Sequence, residues 1–318
     1  MDLKLKNTGR GRLLALKIDV DTHDGMAKGV PKLLDILNKE EIKATFCLSF
    51  GPDNAGKAIF RLFNDPLFLK KMLKTGAPRL YGLRTILSGT LLPARPIAIA
   101  FPDLVRRIEA DGHEAIVHAW DHRKWQDRLT DMTSEEIARE FDRAFSAFQD
   151  ILDKRPEAVA APGWQVTPES LEIQDELGLL YASDLRGGEP ARLSIGDRIF
   201  KTLQIPSTGP CIEELLTIGI RDNEYLFKAI LRQIYKAKYP VIPIHAEVEG
   251  GPFSRFLIRL LRMLKTKYNI VRLKDMAAIL LGGTVPIREL SFMELPGRAG
   301  TVATSIGPEA LREISEQS

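Results

Sequence analysis

Short apolar runs alternate with helix-period segments along most of the chain, and this rhythm limits the fold more than any other feature. Residues 13–20 (LLALKIDV) suit a strand and are too short for a buried helix. In residues 29–40, Val30, Leu33, Leu34 and Leu37 fall at helical spacing, and Pro31 stands near the start, where a missing N–H is tolerated. Further strand patterns fall at 42–49, 114–118, 158–161, 179–184, 199–206, 240–245 and 270–273. Helical patterns separate most of them, at 101–111, 133–152, 167–177, 223–238 and 253–268. Thr133 and Glu136 stand at capping-box spacing at the head of the longest helix. Such alternation predicts an α/β chain, expected here as a (β/α)-type barrel with a doubly wound sheet as the alternative.

Two segments break the rhythm. Residues 65–102 hold helix-like pieces between Pro66, Pro78, Pro93, Pro96 and Pro102 and read as an insertion. Residues 283–318 are rich in Gly, Pro, Ser and Glu and read as a mostly irregular tail, leaving a domain over 12–282. No run of 18 apolar residues exists, so no membrane-spanning helix is expected. The N-terminal apolar run lacks a cleavage pattern and reads as a strand, which points to a cytoplasmic protein. Cys47 and Cys211 stand in no CxxC motif, which argues against a thiolate zinc site.

The net charge of +3 is a cancellation. Residues 56–101 carry eight basic side chains against Asp65 alone, and residues 253–274 carry seven with no acid. The rest of the chain is acidic. The second segment has the apolar spacing of an outer helix with a solvated basic face. The first mixes apolar and basic residues as an interfacial membrane element does, with Lys70, Lys71, Leu73 and Tyr81 as candidate lipid contacts. No nucleic-acid motif accompanies these charges.

The chemistry-bearing residues cluster at strand ends, where barrels build their sites. His118 and His122 (HAWDH) can converge on one metal, across a helical turn or around a tight loop; the spacing alone fits a capping or surface pair equally. Asp19 and Asp21 (IDVDT) fall on one side of the first strand, although a DxD also fits a turn. A His-His-Asp set leaves a coordination position open for water. His245 follows a later strand; as a lone histidine it would more often be structural, but a barrel returns it to the same rim. His113 precedes a strand and reads as structural.

Together these groups resemble the polysaccharide deacetylase (NodB-homology) family of metal-dependent amide hydrolases, over roughly residues 13–281. The resemblance implies a distorted barrel with Asp19 as base and His245 as general acid. Asp21, His118 and His122 would then hold one divalent ion: zinc, cobalt, manganese or nickel. The family's third motif normally begins with an arginine that orients the base. Here 160–164 (AAPGW) has none, and Arg186 is one candidate to reach the same place, a question that the sequence leaves open. Within the family, GPDN (51–54), SDLRG (183–187) and HAEVEG (245–250) are similar to a group of deformylases. That group acts on 4-deoxy-4-formamido-L-arabinose carried on undecaprenyl phosphate, an amino sugar destined for lipid A. Trp164, Asp184, Arg186 and Glu247 then read as sugar contacts or as residues that support the site from behind. The similarity also implies a lipid-linked sugar and an anionic membrane surface as partners, at the cytoplasmic face of the inner membrane. An N-deacetylase of another glycan, and a silent membrane-associated sugar-binding protein, are the competing expectations. The oligomeric state is not legible.

Overall fold

The computed structural model describes residues 12–60, 85 and 87–307. Its centre is β1 (Arg12–Val20), which pairs in parallel with β2 (Thr45–Ser49), β8 (Val241–His245) and, through its first half, β9 (Tyr268–Val271). Beyond β2 the sheet continues through β3 (Glu114–Ala119), β4 (Ala158–Val159), β5 (Tyr181–Ala182), β7 (Arg198–Gln204), β6 (Ala191–Ile195) and β10 (Ile287–Glu289). Every pairing in it is parallel except the β6–β7 hairpin. After β7 the chain turns back to β8: the amides of Thr208 and Gly209 both donate to the Val241 carbonyl, at 3.0 Å. The sheet therefore curls into a distorted barrel, as the family resemblance implies, and not into the doubly wound sheet that the alternation also allowed.

Period-two alternation sorts β1 into two faces. Leu14, Leu16, Ile18 and Val20 are fully buried against an outer layer of helices. That layer includes α1 (Val30–Lys39), α2 (Pro102–Ala110), α4 (Ser134–Leu152), α7 (Asn223–Lys236) and α8 (Ser254–Leu264), with α3 (His122–Arg128), α5 (Pro168–Leu177) and α6 (Ile212–Thr217) placed near the rim. Ala15 faces the barrel interior with Cys47, Ile116, Tyr181 and Val241. The last helix, α9 (Leu273–Leu281), closes the N-terminal end of the barrel with Leu273, Met276 and Ala277. Its first amides donate to Thr45 Oγ1 (2.7 Å) and Glu114 Oε2 (3.0 Å) at the starts of β2 and β3. The capping box of α4 forms: Glu136 N donates to Thr133 Oγ1 and Thr133 N to Glu136 Oε2.

The expectation of an irregular tail is corrected over 287–304. β10 joins the main sheet beside β6, and β11 (Ser291–Glu294) pairs with β12 (Thr301–Thr304) as a hairpin. Val302 and Ala303 are fully buried, and Ala303 O accepts from Arg186 N at 2.8 Å. Strands of three or four residues, with partners distant in sequence, carry too little period to be read.

The segment expected as an insertion divides. Lys70, Lys71, Leu73 and Tyr81 lie outside the described residues. Residues 87–101 are fastened to the body: Ile97 N donates to Gly51 O (2.8 Å), Asp53 N to Arg95 O (2.7 Å), and Ile97 and Ala98 are fully buried. Among the described residues no helix is long and apolar enough to cross a membrane.

Candidate active site

Three strand ends meet at the C-terminal rim of the barrel. β3 ends at Ala119, and Asp121 caps the following helix by accepting from Lys124 N at 3.0 Å. Helix α3 therefore starts at His122, whose ring returns to within 5.2 Å of the His118 ring, centroid to centroid. The pair converges around a tight loop rather than along a helix. Asn54 steadies that loop through a 2.6 Å hydrogen bond to Asp121.

Asp21, just beyond β1, faces both imidazoles. Its Oδ1 lies 3.3 Å from His118 Nε2 and its Oδ2 lies 3.2 Å from His122 Nε2. One ligand atom from each of these residues lies within 4.8 Å of the others. His118 Nδ1 lies 2.5 Å from Ala160 O, which makes Nδ1 the protonated nitrogen and leaves the Nε2 lone pair aimed at the cluster. Asp21 Oδ1 is buried without a hydrogen-bond partner. Burial opposes ionisation of Asp21, but the two imidazoles outweigh it and hold the carboxyl well below its usual range. Two neutral nitrogens and a carboxylate fit a divalent ion such as zinc, cobalt, manganese or nickel.

Asp19 sits beside His245: the two are register partners on the paired strands β1 and β8. The cation next to Asp19 is Lys17, not Arg186. Lys17 is fully buried, with Nζ 3.4 Å from Asp19 Oδ2 and 3.3 Å from Ser183 O. Burial pulls its pKa down, yet the neighbouring carboxylates, Asp19 foremost, raise it overall, so it stays cationic. Arg186 turns elsewhere, to Glu214 Oε2 at 3.0 Å. Sequence reasoning passed over Lys17, although the alternation that places Asp19 and Asp21 on one side includes residue 17.

His245 Nδ1 lies 3.0 Å from Glu213 Oε1, and its Nε2 lies 3.8 Å from Asp21 Oδ2. Burial would lower the His245 pKa; Glu213 first, then Asp21 and Asp19, outweigh that and raise it well above the usual value. The ring is thus held as a proton donor. Its amide donates to Glu249 Oε2 at 2.9 Å, which fixes the loop after β8. Glu213, at the start of α6, has no local sequence signal that would mark it.

The expected sugar contacts and supporting residues separate. Asp184 is fully enclosed and accepts from Ala161 N (2.6 Å), Gln174 Nε2 (2.7 Å) and Gln204 Nε2 (3.2 Å). It clamps the loop leading to Trp164 from inside the protein, which fits the supporting role and not a sugar contact. Trp164 holds a left-handed backbone (φ 54°) and is buried, its ring near Lys17, Arg186 and Arg298. Glu247 is buried with Oε2 unpartnered; burial first, and then the Asp21 charge, push its carboxyl well above the usual range. A Cβ on Gly25 would come within 2.5 Å of that oxygen, so any side chain there would have to displace the Glu247 carboxylate.

A curled parallel sheet with a His-His-Asp cluster at its rim, flanked by an aspartate and a histidine on paired strands, defines a class of hydrolytic barrel. The chain belongs to the polysaccharide deacetylase family, whose sequence profile matches residues 6–182. It is 34% identical over 289 residues to a 4-deoxy-4-formamido-L-arabinose-phosphoundecaprenol deformylase of Shewanella sediminis, covering 90% of this chain and 92% of that one. A deformylase of the same name from Wigglesworthia glossinidia brevipalpis is 32% identical over 284 residues, with 88% and 97% covered. Among solved structures, a polysaccharide deacetylase from Mycobacterium smegmatis shares the fold with a TM-score of 0.61 at 17% identity, covering 91% of this chain and 96% of that one.

Proposed function

We propose that this chain removes the formyl group from 4-deoxy-4-formamido-L-arabinose linked to undecaprenyl phosphate, working with one divalent ion at a membrane face. The observation that carries the reading is the pairing of Asp19 with His245 across β1 and β8, beside the Asp21–His118–His122 cluster. The similarity to relatives named as deformylases over nine-tenths of the chain supports the substrate.

Asp21, His118 and His122 are the residues that would hold the ion, which supplies Lewis acidity at neutral pH when bound. Asp19 accepts the proton of the attacking water as the water oxygen bonds to the formyl carbon. Lys17 keeps that carboxylate oriented. His245, held protonated by Glu213, donates a proton to the amide nitrogen as the C–N bond breaks. Water and formamide thus become formate and a free amino sugar. Without that proton an amide nitrogen leaves poorly.

The test is formate release from formamido-arabinose-phosphoundecaprenol, with metal analysis of the same preparation. Asp19→Asn is expected to keep the metal and lose turnover; unchanged turnover removes Asp19 as base. Release of acetate from N-acetylated glycans by metal-loaded protein, with no formate from the lipid-linked sugar, would falsify the deformylase reading.

A further inference from the structure

The C-terminal strands deliver a side chain to the rim that lies outside the family profile. Arg298 stands in the β11–β12 connection, with its guanidinium carbon 4.5 Å from the centroid of the Trp164 ring. The connection is pressed against α6: a Cβ on Gly297 (φ 84°) would lie 2.3 Å from Glu214 O. Arg186, from the loop after β5, places its own guanidinium 5.4 Å from the same ring. Two cations thus converge on one aromatic platform.

They share a single carboxylate unequally. Arg186 NH2 takes Glu214 Oε2 at 3.0 Å, while Arg298 NH1 lies 3.8 Å from Oε1, too far for a hydrogen bond. Among the described residues no acceptor bonds to the Arg298 guanidinium, although its side chain is only 18% exposed. The other carboxylates nearby are engaged: Glu213 faces His245, Asp19 faces Lys17, and Asp184 is saturated within the interior. The guanidinium therefore keeps hydrogen-bond donors that Glu214 does not take up, in a place only partly open to water, and an incoming oxyanion can receive them. The platform also sets the position relative to the chemistry, because Lys17 Nζ, which holds Asp19, is 5.8 Å from the Trp164 ring.

We propose that Arg298, backed by Arg186, receives the phosphodiester that joins the substrate's sugar to its lipid. This rests on the deformylase reading. A planar guanidinium stacked on indole keeps its edge free for two parallel hydrogen bonds to phosphate oxygens. The sugar carries its formamide and its phosphate at opposite ends of the ring. A cation one aromatic side chain away from the base therefore suits the far end of the same molecule.

The test compares two probes: a formamido-arabinosyl phosphate diester with a short prenyl chain, and the uncharged methyl glycoside of the same sugar. Arg298→Gln is expected to raise KM for the diester by about 10- to 100-fold, the scale of one charge-assisted contact. It should leave kcat, and the kinetics of the methyl glycoside, near wild type. Arg298→Lys should recover part of the loss. Binding of farnesyl monophosphate, measured by calorimetry, should weaken by a similar factor. Equal losses on both probes, or a selective loss of inhibition by formate, overturn the phosphodiester assignment while leaving the deformylase reading intact. Failure of the wild type to hydrolyse either probe overturns the deformylase reading and this inference with it.

Discussion

At the scale of single residues, the informative one is Lys17. A fully buried lysine inside a strand of apolar residues is expensive, and the structure shows what offsets the cost: Asp19 Oδ2 at 3.4 Å and Ser183 O at 3.3 Å. Asp19, the proposed base, is thereby held from within its own strand. The cation beside Asp19 thus comes from two residues upstream in the same strand, while Arg186 pairs with Glu214. Lys17→Met keeps the volume and leaves Asp19 unpaired. Turnover is expected to fall by about 100-fold or more, with metal content unchanged. Stability should fall by about 3 kcal/mol, as when one partner of a buried pair is removed. Steady-state kinetics, elemental analysis and urea unfolding of the same protein check this together. Combining the change with Asp19→Asn should cost little further activity, because the two side chains act as one unit. Asp19, Asp21, His118 and His122 were legible as candidates because their types and spacing are local, whereas His245, a lone histidine, was legible only through the barrel and the family resemblance. Glu213 and Arg298 were not, since only tertiary folding brings α6 and the last hairpin to the rim.

At the scale of elements, the start of β3 shows how a histidine can serve structure alone. His113 Nδ1 accepts from Ala44 N at 3.1 Å, just before β2, and its ring meets Phe46 edge-on at 5.4 Å. The hydrogen bond, in which the ring nitrogen accepts, favours the neutral ring. Burial first, with Lys43 adding to it, lowers the His113 pKa to about 4. Between its ordinary value of 6.5 and about 4, the unfolded chain takes up a proton that the native chain refuses. The stability His113 contributes is therefore complete above pH 6.5 and is lost as pH falls through that window. His113→Gln should be less stable than the wild type at pH 7.5, and the gap in urea midpoint should narrow steadily by pH 4.5. A gap independent of pH would show that the ring does not titrate as described. Long periodic elements such as α4 were readable with their caps. Two-residue strands such as β4 and β5 owe their existence to parallel neighbours on both sides, and their ends were correspondingly blurred.

At the scale of the whole molecule, the two basic segments have different fates. On α8 the charges are answered in place: Arg259 pairs with Glu224, and Arg262 meets Glu40 at 2.8 Å. The basic residues of the earlier segment are then the better candidates for an anionic membrane surface. Lys70→Glu, Lys71→Glu and Lys74→Glu together should reduce flotation with anionic liposomes, while reversals at Arg255, Arg259 and Arg262 should not. Charge reversal is a cleaner test than deletion, because removing residues up to 102 would also remove the buried Ile97 and Ala98. The last strands are fastened to the barrel as well. Three links tie the last strands to the rim: Ala303 O accepts from Arg186 N at 2.8 Å, Thr301 O from Gln165 Nε2 at 2.8 Å, and Ala303 packs in one cluster with Leu185, Leu193 and Phe200. A chain cut after residue 283 exposes that cluster and releases the main-chain partner of Arg186. Burying a side chain of valine or leucine size contributes about 1.5–3 kcal/mol, so the truncated chain should lose roughly 3 kcal/mol or more. Its urea midpoint should drop, and deformylation should vanish even where the far-ultraviolet dichroism still reports a folded barrel. Arg298→Gln separates the two effects, since it removes the proposed phosphate contact and leaves the strands in place. A truncated chain that unfolds at the wild-type midpoint would mean that the last strands are an appendage, and the barrel would then be complete at α9.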